Sequence, residues 1–145
     1  MPLSHEYRRR DKDYITANRI PKLYLTDELL EEIRKRYPNI RVSTYRGRPY
    51  VDIRDFKSCS FIRSEAEKRS RELYAFCLLR FLKWKKALPD DLIEVYRRDP
   101  EAAARDIAAF ISDIRGLVSE KYLETIIYAV GTWLFVNSVE FLERF

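Results

Sequence analysis

The chain has no glutamine, one histidine, one methionine and two cysteines. It also lacks any hydrophobic run long enough to cross a bilayer, the apolar stretch 126–136 being too short. Each absence removes a class of protein. Cys59 and Cys77 stand apart without CxxC or Cys/His spacing, so neither a disulfide framework nor a zinc site is expected. Cys77 falls on an apolar helical stripe and reads as a small core residue. His5 sits in a polar arm and reads as a solvated side chain rather than a catalyst. Residues 1–13 are polar and do not spell a signal peptide, which places the expected location in the cytoplasm, or in a virion if the protein is viral. Depletion of glutamine, asparagine and methionine, with arginine outnumbering lysine, is a thermophile trait and points to an archaeal hyperthermophile, or a virus or mobile element of one.

What is present describes a folded domain with an uneven charge. The 145 residues suit one domain, or one domain with a small appendage, and 46% hydrophobic content excludes a disordered chain. The net charge of +5 divides into about +10 over residues 1–86 and about −5 over the rest. Such asymmetry is expected when one half faces a polyanion, so nucleic-acid contact should centre on the N-terminal half and the first long helix.

Residues 1–20 carry Arg8, Arg9 and Arg10 without a hydrophobic period and read as a basic arm. Residues 21–60 read as a helix and β-hairpin unit. Thr26 is the expected N-cap of a helix with Asp27 and Glu28 in its first turn, Leu29, Leu30, Ile33 and Tyr37 on its apolar stripe, and Pro38 at its end. Glu31–Lys35 and Glu32–Arg36 pair along its outer face. Residues 40–53 predict a hairpin turning at Arg46-Gly47, with Tyr45 opposite Arg48. Ile40, Val42 and Thr44 then share the core face with Pro49, Val51 and Ile53, while Arg41 opposes Asp52 and Ser43 opposes Tyr50 on a polar face. Lys22 to Leu25 supplies a short third strand.

Residues 61–145 read as a helical domain. From about Arg63 to Lys86 one stripe carries Leu73, Cys77, Phe81 and Trp84, and the next Tyr74, Leu78 and Leu82, a width that marks a central helix. Asp90 is expected to cap a short helix, and Asp99-Pro100-Glu101 to start another that buries Ala103, Ile107, Phe110, Ile111 and Ile114 and closes at Gly116. Ser119 caps the last. The predicted fold is mainly α: a four-helix bundle preceded by the helix and hairpin unit and the arm, with no metal or cofactor box.

The spelling of the helical part resembles a known family. It runs from Arg71-Glu-Leu-Tyr-Ala-Phe-Cys-Leu-Leu-Arg-Phe-Leu-Lys-Trp-Lys-Lys86 through Pro89-Asp-Asp-Leu-Ile-Glu-Val-Tyr96 and Asp99-Pro-Glu-Ala102. It then continues through Ile107-Ala-Ala-Phe-Ile111, Leu117-Val-Ser119, Tyr122, Ile126, Tyr128-Ala-Val130 and Trp133-Leu-Phe135. This is similar to the core-binding, SAM-like N-terminal domain of archaeal tyrosine recombinases and phage-type integrases, over about residues 64–141. The resemblance implies duplex-DNA binding. It covers none of the catalytic domain of those enzymes, so Tyr122 and Tyr128 are read as helix-packing residues and not as nucleophiles. It also departs from the pattern. After Ala129-Val130 the family carries a basic residue, whereas here Gly131-Thr132 stand before Trp133, which predicts loss of DNA contact by the last helix and a chance to self-associate.

The candidate DNA surface comprises Arg8, Arg9, Arg10, Arg41, Arg46 and Arg48, together with Lys68, Arg69, Arg71, Arg80, Lys83 and Lys86 on the long helix. A non-catalytic duplex-DNA binder is the leading expectation. A structural nucleoprotein or coat subunit that oligomerises along DNA is the alternative. A Mg²⁺-dependent nuclease built on Asp52, Asp55 and Lys57 stands third, because the strand before the hairpin turn offers no second carboxylate and Asp52 is expected to pair with Arg41.

Overall fold

Alternating residues in three short segments and 3.6-residue periods elsewhere divide the chain as their spacing dictates. The computed structural model describes residues 19–64 and 68–139 and, for residues 68 and 69, the backbone only. In order, β1 (Lys22–Tyr24), α1 (Asp27–Arg36), β2 (Ser43–Tyr45) and β3 (Arg48–Asp52) are followed by 3-10 segments at Ile53–Asp55 and Lys57–Ser64. Then come α2 (Lys68–Lys85), α3 (Pro89–Arg98), α4 (Pro100–Ile114) and α5 (Glu120–Val136). The protein is mainly helical, a bundle-like arrangement beside a small antiparallel sheet of order β1-β3-β2.

Local chemistry sets the element ends. Thr26 Oγ1 accepts the Leu29 N–H at 3.2 Å, Asp99 accepts from Ala102 N and Ser119 from Tyr122 N, so three helices begin on side-chain caps. Gly116 adopts φ 90 just past α4, the left-handed position that glycine fills without Cβ strain. Arg46 and Gly47 take φ 51 and 80, the signs of a type I′ turn, and Tyr45 pairs with Arg48.

Ser58, the second residue of the Lys57–Ser64 3-10 segment, ties the sheet side to the bundle. Its N–H donates to Asp90 at 2.9 Å, its hydroxyl accepts from Trp133 Nε1 at 3.3 Å, and its carbonyl accepts from Asn137 Nδ2 at 2.7 Å. Trp133 is fully buried, with Phe81 6.2 Å and Tyr96 6.4 Å away between ring centroids. Tyr96 in turn donates to Asp106 at 2.6 Å, where Lys85 also pairs at 3.0 Å. Among the described residues no buried side-chain nitrogen or oxygen lacks a partner, so this polar network costs little to bury. One core runs from Leu23, Ile33 and Val51 through Phe56 and Leu78 to Trp133 and Val139.

Several expectations need correction. The helix predicted from Arg63 begins at Lys68 within the described residues, and residues 57–64 coil as a 3-10 segment whose inward side chains, Ser58, Cys59 and Ile62, the bundle covers. Asp90 does not cap α3: Leu88 holds the N-cap position and Pro89 the first turn, which releases the Asp90 carboxylate to reach Ser58. Arg41 does not oppose Asp52, because β2 pairs only from Ser43 and Arg54 takes both Asp52 oxygens at 2.9 and 2.6 Å. Thr44 is exposed at the sheet edge rather than in the core, and Ile53 leaves the sheet to open a 3-10 turn. Leu73 lies 41% exposed, since α5 covers α2 along the neighbouring side chains. Tyr128 is 61% exposed, with the Tyr74 ring 5.8 Å away between centroids, whereas Tyr122 is half-buried.

Candidate nucleic-acid interface

Sheet register decides which side chains share a surface. Leu23 opposite Val51 faces the core, so Lys22 opposite Asp52, Tyr24 opposite Tyr50, Ser43 opposite Tyr50 and Tyr45 opposite Arg48 all lie on the other face. That face was expected to be simply polar. It is aromatic and basic: Tyr24, Tyr45 and Tyr50 alternate with Lys22 and Arg48, and Arg46 projects from the turn.

The cations are held against the rings. Arg48 Cζ lies 4.0 Å from the Tyr24 ring centroid and Arg46 Cζ 5.3 Å from that of Tyr45. Lys22 Nζ sits 5.0 Å from the Tyr45 centroid and 5.6 Å from that of Tyr50. Tyr24 and Tyr50 meet edge to face at 6.0 Å. Arg46 and Arg48 are exposed, and a cation over a ring is oriented without being neutralised, so their hydrogen-bond donors stay available for an anion, whereas Lys22 is buried beneath the tyrosines. Burial, and after it the positive charge of nearby Lys83, lower the Lys22 pKa below the ordinary lysine value. α2 packs against β1, which brings Lys83 near enough to Lys22 for its charge to be felt.

On α2, Lys83 is exposed, and one turn earlier Arg80 is exposed with its guanidinium 5.5 Å from the Tyr122 ring. Lys86 follows the helix at φ 58. Arg41 is exposed just before β2. Arg41, Arg46, Arg48, Arg80, Lys83 and Lys86 make no ion pair among the described residues. Other cations do: Arg19 pairs with Glu72, Lys35 with Glu31, Arg36 with Glu32 and Asp91, Arg54 with Asp52, Arg63 with Asp55, and Lys85 with Asp106. Arg97, Arg105 and Arg115 are likewise tied to Glu94, Asp99 and Glu120.

Not every nominated cation joins this surface. Arg71 is half-buried near the start of α2, roughly 18 Å along the helix from Lys83 at the usual rise of about 1.5 Å per residue. Lys68 and Arg69 lie in the first turn of α2, their side chains outside the described residues, as are Arg8, Arg9, Arg10 and His5 in the arm and Phe141, Leu142 and Phe145 at the other end. Sequence reading passed over Lys22, Tyr24, Tyr45 and Tyr50. The signal was there, in the period-two alternation of Lys22-Leu23-Tyr24 and Arg48-Pro49-Tyr50-Val51, but it becomes a shared face only when β1 is set against β3.

The possible nuclease residues are committed elsewhere. Asp52 binds Arg54, Asp55 binds Arg63 at 2.8 Å, and Lys57 is exposed. Among the described residues no cluster of His, Cys, Asp and Glu could hold a metal ion, and no helix is long and apolar enough to cross a membrane. Both thiols are buried, which raises their pKa values above the ordinary range. The fold defines a mainly helical protein with a small antiparallel sheet. Comparison of the chain with protein-family models, curated proteins and solved structures finds no match.

Proposed function

We propose that this protein binds DNA without cleaving it, gripping phosphates with the cations of the hairpin and of the end of the long helix. The observation that carries this reading is selective neutralisation. Among the described residues Arg46, Arg48, Arg80 and Lys83 have no acidic partner, while cations a few residues away are paired. Unpaired cations cost repulsion that a phosphate-bearing ligand relieves, with release of condensed counterions. The α2–α5 bundle is of the kind the resemblance to recombinase core-binding domains implies, and that resemblance supports an accessory factor of an archaeal mobile element or virus. The commitment of Asp52 and Asp55 to arginines supports a non-catalytic role.

A salt titration of binding to a labelled duplex tests this directly. Six engaged cations give a log–log slope of about −5, at roughly −0.9 per phosphate contact, and a loss of about a thousandfold between low and moderate salt. A flat response would turn the assignment towards a protein partner. Mg²⁺-dependent nicking lost on Asp55→Ala would instead establish a nuclease.

A second reading, a nucleoprotein or coat subunit that assembles along DNA, draws on α5. Tyr128, Phe135 and Val136 are 61%, 78% and 46% exposed around Gly131, where an added Cβ would meet nothing within 4 Å. An interior helical glycine costs about 1 kcal/mol relative to alanine, and no contact among the described residues calls for it. Close approach of α5 from a second copy accounts for it. Light scattering with and without DNA separates the two: a fixed stoichiometry per DNA length supports assembly, and an unchanged monomer or dimer supports the accessory binder.

A further inference from the structure

We infer that the tyrosine face of the sheet stacks unpaired bases, so that the preferred ligand of this surface is single-stranded DNA. This rests on the phosphate-binding reading above and narrows its ligand. The geometry offers ring faces, not only charge. Tyr24 and Tyr45 are half-buried on the two outer strands, with the more buried Tyr50 between them on β3. Neighbouring strands lie about 4.8 Å apart, so the outer rings are separated by roughly 10 Å across the sheet.

A duplex cannot use such a surface well. Its bases are stacked on one another about 3.4 Å apart and present edges to the grooves, whereas a ring on a flat sheet meets a base face to face. Because the rings carry cations, bases drawn out of the stack can settle on the ring-backed Arg48 guanidinium over Tyr24 and against Tyr45, while the intervening phosphates reach the exposed Arg46 and Arg48. The Arg48 guanidinium, 4.0 Å over Tyr24, is itself a planar surface on which a base can stack, and Arg46 and Lys22 flank Tyr45. Aromatic platforms within a basic groove bind single strands with little sequence preference, because every base has a π-face.

The test compares three labelled probes at one salt concentration: oligothymidylate, an abasic strand of equal length, and a duplex of equal length. The expected result is oligothymidylate bound about tenfold or more tighter than the abasic strand, the equivalent of one stacked base. Tyr24→Leu with Tyr45→Leu should bring oligothymidylate down to the abasic level with an unchanged salt slope. Tyr24→Phe with Tyr45→Phe, which keeps the rings, should retain the preference. Equal wild-type affinity for oligothymidylate and the abasic strand, with a steep salt slope, overturns the stacking inference and leaves phosphate binding intact. Tighter binding of the duplex than of oligothymidylate overturns it too. Absence of salt-dependent binding to all three probes removes both. The wild-type comparison needs no variant, so it decides even where the leucine variants fail to fold.

Discussion

Two regions of this protein carry cations and treat them in opposite ways. Around α3, α4 and the start of α5, Arg97, Arg105 and Arg115 reach acids at 3.0 to 3.6 Å. On the hairpin and the end of α2, Arg46, Arg48, Arg80 and Lys83 reach aromatic rings or solvent instead. Arg98 and Lys121 are exceptions on the first side, and Arg54, Arg63 and Lys85, which closes α2 and pairs with Asp106, on the second. The difference teaches that charge density alone identifies nothing. A cation balanced by an exposed acid presents little field, and such pairs contribute at most about 1 kcal/mol to stability. A cation laid on a tyrosine keeps its charge and loses conformational freedom, which prepares it for an anion.

The strongest way to break this contrast is to remove equal charge from each region. Arg46→Ala, Arg48→Ala and Lys83→Ala together should weaken DNA binding by about tenfold or more and make the salt slope shallower by about 2.7. Arg97→Ala, Arg105→Ala and Arg115→Ala together should change binding less than about threefold, since their charge is already compensated. Fluorescence anisotropy across a salt series measures both. Equal losses from the two triples would mean that net charge, not its placement, drives binding.

A second prediction sharpens the other end of the comparison. Gly131→Ala should raise the stability of the single chain by about 0.5–1 kcal/mol in urea denaturation, because a Cβ there meets nothing. If α5 packs against a second copy, sedimentation should show weaker association in the same variant. Releasing paired cations is a smaller perturbation. Glu94→Gln with Glu120→Gln frees Arg97 and Arg115 and should strengthen DNA binding by no more than about threefold. A large gain would show that pairing is all that silences this region.

The smallest effect concerns pH. Burial, the largest influence on Asp91, pushes its pKa up, but hydrogen bonds from Arg36 and Tyr37 outweigh it and hold the carboxylate below the ordinary aspartate value. A depressed folded pKa contributes stability that is present above the unfolded pKa, about 3.9, and is lost as pH falls through the folded value. The stability gap between wild type and Asp91→Asn should therefore be full near neutrality and shrink below about pH 4. A gap that stays constant down to strongly acidic pH would show that Asp91 carries no linked proton.

Much of the scaffold was legible because its determinants are local. Thr26, Asp99-Pro100, Gly116 and Ser119 each mark a helix end through a hydrogen bond or a dihedral reaching no further than a few residues. The five inward residues of α4 follow from one period. Arg46-Gly47 set the hairpin register through its own φ values. Asp90 misled because a helix-start residue was read locally, while Ser58, 32 positions away, offered its carboxylate an N–H. Arg41 misled because pairing stops at Ser43, and Asp52 found a closer guanidinium in Arg54.

By itself the sequence determined where α1, α4 and α5 start, which residues turn the hairpin, and that positive charge gathers in the first 86 residues. Those properties depend on neighbours in the chain and on composition. Only the tertiary structure decided which cations are neutralised, that β1 joins β3 so that Lys22, Tyr24, Tyr45 and Tyr50 share one face, and that Lys83 of α2 stands beside them. Each of these is a contact between segments distant in the chain, and an electrostatic or stacking surface exists only where folding brings such segments within a few ångströms of one another.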